Sequence, residues 1–231
     1  MSKAKKVFLP VLMILGIFSF NLSSSVTAQA QTQDIVVVTG DEAEEFVDAT
    51  LHAVEEGEVE NIAPVSAFDL EKSSVYAVGG GVTAVTVPVN GGDYSLPSNV
   101  TVFFDEDNAA LQTNEMLVSK NEAGNFQVET YVDGSLVTSE DTGIAYMTDK
   151  ELLTEEPSEI QPMGVKAVAA CLGVVLGVGG TMATLIAIGC GGSCAAPTPV
   201  TAPPICAACI GAYALLGTGG IAGAVACFNH L

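Results

Sequence analysis

Residues 164–231 read GVKAVAACLGVVLGVGGTMATLIAIGCGGSCAAPTPVTAPPICAACIGAYALLGTGGIAGAVACFNHL. The stretch has no aspartate, glutamate or arginine and a single lysine, Lys166, yet it carries all six cysteines: Cys171, Cys190, Cys194, Cys206, Cys209 and Cys227. Two apolar runs, Ala167–Gly189 and Ile205–Phe228, flank a turn rich in glycine and proline. Each run is long enough to be read as a membrane span, and the cysteines lie only at the run ends and in the turn.

The cysteine gaps read C-x18-C-x3-C-x11-C-x2-C-x17-C, nearly a palindrome. If both runs are helices, Cys171 to Cys190 spans about 28 Å and Cys209 to Cys227 about 27 Å. Two antiparallel helices of matched length favour nested pairing: Cys171–Cys227, Cys190–Cys209 and Cys194–Cys206. Six cysteines allow 15 pairings, and sequence alone does not choose among them. A tail this small and this rich in glycine needs such staples to hold a fold. Glycine also weakens helices, so breaks near Gly179-Gly180 and Gly219-Gly220 are an open alternative. The competing use of the same thiols is zinc, because Cys190-x3-Cys194 with Cys206-x2-Cys209 approaches a four-thiolate spacing. Signs of export favour disulfides, and no cofactor or metal is expected.

Those signs stand at the start of the chain. Lys3, Lys5 and Lys6 precede an apolar core, Val7–Phe20, and Ala28-Gln29-Ala30 offers a small-x-small cleavage site. Residues 1–30 therefore read as a secretory signal peptide cleaved after Ala30, the alternative being an uncleaved anchor.

Residues 31–163 hold all 27 acidic residues against Lys72, Lys120 and Lys150, a net charge of −24. Their apolar residues are nevertheless periodic. Asp34–Thr39 reads as a strand, and Glu42–Glu56 as an amphipathic helix with Phe46, Val47, Leu51 and Val54 on one face. Strands are expected at Ser74–Val78, Val82–Val89, Asn99–Phe104, Met116–Ser119, Phe126–Val132 and Ser135–Ser139, with Asp133-Gly134 as a tight hairpin turn. Residues 31–148 are thus predicted as a small α+β domain, one helix on an antiparallel sheet. Residues 149–163 read as an acidic linker with a processing site around Pro157, Pro162, Met163 and Gly164. Residues 164–231 form the all-α part, a disulfide-stapled helical hairpin or small helical bundle.

No catalytic constellation is present. His52 falls on the predicted helix and His230 next to the C-terminus, neither with a motif partner. Asp105-Glu106-Asp107 lacks the register of a calcium loop, and Gly79-Gly80-Gly81 has no lysine after it, so it is not a phosphate loop. The acidic balance argues against nucleic acid as a partner.

In the tail, Gly173-x3-Gly177 and Gly219-x3-Gly223 have the small-residue spacing that lets helices approach closely in lipid. One reading is a secreted, stapled apolar peptide that partitions into a target-cell membrane. The other is a permanent two-span anchor displaying the acidic domain at the cell surface. The turn between the runs carries no lysine or arginine, so the positive-inside rule gives the anchor no support.

The layout of signal peptide, larger acidic domain and cysteine-rich Gly/Ala-rich C-terminal peptide resembles the precursors of halocin C8-type bacteriocins. Cys190-Gly-Gly-Ser-Cys194 and Cys206-Ala-Ala-Cys209 carry the likeness in detail. The chain departs from that family in having no twin-arginine signal and fewer cysteines than its founding member. The resemblance implies a secreted antimicrobial precursor whose released tail kills related cells while the middle domain serves as an immunity protein. It also implies association of residues 31–163 with residues 164–231, within one chain or between chains. Because the tail is nearly uncharged, such masking has to use apolar surface or steric cover.

Overall fold

Seven strands run in strict chain order across one antiparallel sheet: β1 (Val36–Val38), β2 (Ser74–Ala77), β3 (Thr83–Pro88), β4 (Asn99–Phe104), β5 (Ala110–Lys120), β6 (Asn125–Val132) and β7 (Ser135–Ala145). This computed structural model describes residues 35–78, 80–155, 164–195, 206, 209–210 and 220–230. Turn chemistry explains the meander. Asp133 and Gly134 adopt φ of 46° and 67° between β6 and β7, the left-handed pair that a two-residue hairpin turn requires. Between β4 and β5 the Asp105 carboxylate accepts from the backbone N–H groups of Asp107 and Ala109, both at 2.9 Å, so this acidic stretch is a turn closed on itself.

Alternation along the strands gives the sheet two apolar faces. Val85, Val87, Val100, Val102, Phe104 and Leu117 turn to one side, where α1 (Asp41–Glu55) brings Phe46 and Val47. Phe46 meets Phe104 with ring centroids 5.7 Å apart. Asp41, Glu42 and Glu44 occupy the first turn of α1, where negative charge suits the helix dipole. Every residue of β4 is buried, because both of its faces are covered, whereas β7 is exposed along most of its length.

The second face is covered by the C-terminal helices α3 (Val165–Leu176), α4 (Gly180–Ala195) and α5 (Ile221–Cys227), preceded by a short α2 (Asp149–Thr154). Among the described residues one cluster contains side chains of the sheet, of α2 and of the tail, so the acidic domain and the tail share a core. Two expectations change in detail. The run Ala167–Gly189 is not one straight helix: α3 ends at Gly177, in left-handed conformation (φ 69°), and α4 restarts after Gly179 with a bend of 118°. Among the described residues no single helix is long and apolar enough to cross a membrane; α3 and α4 meet that test only as a bent pair. The N-terminal part of the expected linker 149–163 is ordered as α2, with a capping box between Thr148 and Glu151. Leu152 on α2 is buried in the core that the sheet shares with the tail. The break falls at the glycines, where the alternative of a helix broken near Gly179-Gly180 put it, whereas the charge of α2 hid its single buried leucine.

Candidate functional site: the seam between sheet and stapled tail

Met116 and Val118 on β5 and Phe126 and Val128 on β6 face the tail. They pack in one cluster with Leu172 and Leu176 of α3 and Met182, Leu185 and Ile186 of α4. Full burial of each such side chain is worth roughly 1.5–3 kcal/mol. Further along the same face, Ile221 of α5 packs with Tyr76 and Phe103. The helix α4 is apolar on most of its surface and buried from Met182 through Cys190 except at Thr184 and Ile188, which are half-buried.

Met116 interlocks with α4 at a single glycine. A methyl group at Gly189 would lie 2.7 Å from Met116 Cγ and 3.1 Å from its Cε, and nearer still to the sulfur. The thioether therefore fills the space that a side chain on α4 would occupy. Beside this contact a cleft of about 210 Å³ is lined by Asn99, Thr101, Asn114 and Thr130 of the sheet and by Ile188 and Gly192 of α4. Below it, Thr86 and Thr101 share a buried hydroxyl–hydroxyl hydrogen bond of 2.9 Å. The sheet thus presents apolar patches separated by a polar stripe.

The tail is cross-linked at three places. Cys171 of α3 is bonded to Cys227 of α5, Cys190 of α4 to Cys209, and Cys194 of α4 to Cys206, with Cα–Cα distances of 5.5, 5.8 and 4.6 Å. This is the nested pairing, and none of the cysteines is free. In the chain-entropy account, closing the 56-residue separation contributes about 4 kcal/mol and each shorter loop about 3, without simple additivity because the loops are nested. The disulfides are compatible with an oxidising, extracellular compartment. Among the described residues no group of His, Cys, Asp and Glu is arranged to hold a metal ion.

At the bend of the tail, the carboxylate of Glu155 accepts from the Thr181 backbone N–H at 2.9 Å and from the Thr181 hydroxyl at 3.1 Å. Gly179 makes room for it: a Cβ there would stand 2.7 Å from Glu155 Cβ and 2.8 Å from its carbonyl oxygen. Glu155 closes the described part of the acidic domain, so a residue from outside the tail caps a helix of the tail.

On the opposite face, Glu115 is a buried carboxylate that accepts from the Ile62 and Ala63 N–H groups at 2.7 and 2.9 Å and pins that loop to β5. Burial pushes its pKa up, against the opposing effect of the two N–H bonds. Tyr131, paired in register with Glu115, has its phenol pushed up to about 12, first by burial and then by the bond it donates to Glu129 at 3.0 Å.

The residues singled out in the sequence separate cleanly. The cysteines come together as pairs. Gly173 lies where α3 approaches Val178 and Ala183, and Gly223 of α5 fits beneath Val175 of α3. Gly177 does not pack between helices but terminates α3, and Gly164 begins it with φ of 63°. Ala28, Ala30, Pro157, Pro162, Met163 and Gly219 lie outside the described residues. His52 is exposed on α1. Sequence reasoning missed Met116, Glu155 and Gly189. The Met116 position in an alternating strand was readable, but its partner glycine was one of many. Comparison with known protein families, curated proteins and solved structures gave no match to this chain.

Proposed function

We propose that the chain is a secreted precursor of an antimicrobial peptide. Residues 164–231 are the membrane-active part, and the acidic α+β domain is its cover and immunity module. One observation carries the reading: the tail is nearly chargeless and triply cross-linked, and its apolar helices lie on the second face of an acidic sheet domain. A peptide of this composition would aggregate or enter the producer's own membrane if left bare. The apolar patches of the sheet, with Met116 seated over Gly189, supply the steric cover that charge cannot. The layout's resemblance to halocin C8-type precursors supports the same assignment.

The test applies purified, oxidised Gly164–Leu231 to a panel of related bacteria and follows growth and membrane potential. Gln31–Leu231 and a cysteine-reduced tail serve as controls. The oxidised tail is expected to depolarise sensitive cells, and the intact chain and reduced tail are expected to do so far less. No inhibition of any strain, with full-length chain found in the producer's membrane fraction, overturns the proposal in favour of a surface protein anchored by its tail.

A further inference from the structure

Resting on that reading, we infer that the bend between α3 and α4 is a latch set by Glu155, and that α3 and α4 join into one straight membrane-spanning helix when the tail leaves the sheet. A continuous helix through this region requires the Thr181 N–H to bond the carbonyl of Gly177, four residues earlier. In the docked chain that N–H is given to Glu155 instead. Gly177 in left-handed conformation and Val178 in the core complete the bend. Glu155 lies on the far side of the expected cleavage region from Gly164. Cutting there and separating the pieces removes the carboxylate from the tail and frees Thr181 to make the helical bond.

Lipid favours the straight form. At a bend in the hydrocarbon region, unpaired N–H and carbonyl groups have no water to bond, and each costs several kcal/mol. The staples permit the change. With α3 and α4 in line, Cys171 and Cys190 stand about 28 Å apart, close to the hydrocarbon thickness of a bilayer. Cys209 to Cys227, tied to the same two residues in reverse order, is 18 residues long and reaches about 27 Å as a helix. Nested bonds thus leave two arms of equal reach. A Cys171–Cys190 bond would have forbidden straightening altogether.

The experiment uses the oxidised chain Gln31–Leu231 with a site-specific protease sequence placed within residues 156–163. Nitroxides are attached to ketone-bearing residues at position 165, where Val165 is exposed, and at Gly191, which has open space around it. The 118° bend puts these positions about 20 Å apart, and a straight helix puts them about 39 Å apart. Electron–electron distance measurement is made before cleavage and after cleavage with phosphatidylglycerol–phosphatidylethanolamine vesicles. Dye release is read from the same vesicles.

A shift from the short to the long distance on cleavage with vesicles is the expected result. Dye release with the short distance retained overturns the straightening but leaves the membrane activity standing. The long distance without dye release supports the straightening and counts against permeabilisation. A tail that stays docked or off the vesicles at the short distance overturns the straightening, whatever the cause. Thr181→Pro supplies a second arm. Proline is tolerated in the first turn of α4 but cannot bond Gly177 and clashes with its carbonyl in a continuous helix. Dye release is expected to fall on the order of a hundredfold, and wild-type release from a folded Thr181→Pro chain overturns the inference.

Discussion

Gly189→Ala should change the intact chain and the free tail in opposite directions. In the intact chain the new methyl group meets Met116, whose Cγ would be 2.7 Å away and whose side chain is only 2 % exposed. Overpacking of this kind costs about 1–3 kcal/mol, while replacing a helical glycine by alanine returns about 1 kcal/mol. The net expectation is a loss of about 1 kcal/mol, a fall in Tm of roughly 2–4 °C for a chain of this size. In the released tail Met116 is gone, and only the gain of up to about 1 kcal/mol remains. Met116→Ala alone opens a cavity costing about 2–5 kcal/mol. The alanine methyl fills part of that space, so the double variant should be less destabilised than the sum of the singles by about 1–2 kcal/mol. Urea unfolding under oxidising conditions reads the intact variants through tyrosine fluorescence, since the chain has five tyrosines and no tryptophan. Circular dichroism reads the helicity of the free tail. Additivity within about 0.5 kcal/mol, the range expected of independent sites, would refute the interlock of Met116 with Gly189.

Glu115→Gln isolates the buried carboxylate. Burial raises the folded pKa above the ordinary 4.5. The stability contributed by the protonated form is therefore full below about pH 4.5 and is lost as pH climbs through the raised value. The stability of wild type minus that of Glu115→Gln, which does not titrate, should fall as pH rises across that window; a signed difference that rises with pH contradicts the assignment. Cys171→Ala together with Cys227→Ala should lower unfolding stability by about 4 kcal/mol before relaxation, measured from denaturant midpoints, and a change below about 1 kcal/mol would show that the long loop restrains little. Intact mass spectrometry of culture supernatant should show cleavage after Ala30 and again between Pro157 and Lys166; a single species from Gln31 to Leu231 counts against the two-product scheme.

Much of the sheet was legible because its signals are local. Alternating valines at 85, 87, 100 and 102 and the Asp133-Gly134 turn each act over a few residues, and the structure places strands and hairpin where they point. Strand length was less legible. Both β5 and β7 extend well beyond their apolar segments, since Gln112, Asn114, Glu140 and Asp141 pair across the ladder in a way that a hydropathy pattern does not register. The tail shows the reverse. Cysteine spacing pointed to the nested bonds, but from two straight helices, whereas α3 and α4 meet at 118°. Gly177 and Gly179 carried that signal. At the break the Thr181 N–H is held by the Glu155 carboxylate, 26 residues away in the chain, and no spacing rule reaches across such a distance.

Strict strand order has a consequence for the order of assembly. Every strand of the sheet pairs with its neighbour in the chain, so each closure from β2 onward spans a short connection and carries a small entropic cost, while β1 reaches β2 across α1. Synthesis runs from the N-terminus, and β7 ends at Ala145, before the first cysteine at 171. The thiols therefore follow the whole sheet in the chain. Helices that settle on Met116, Phe126 and Phe103 would be brought into position by those contacts as they are oxidised. The sheet then works as a jig for cross-linking: fifteen possible pairings meet one template, and the set that survives is the one whose sulfurs the template has already brought face to face.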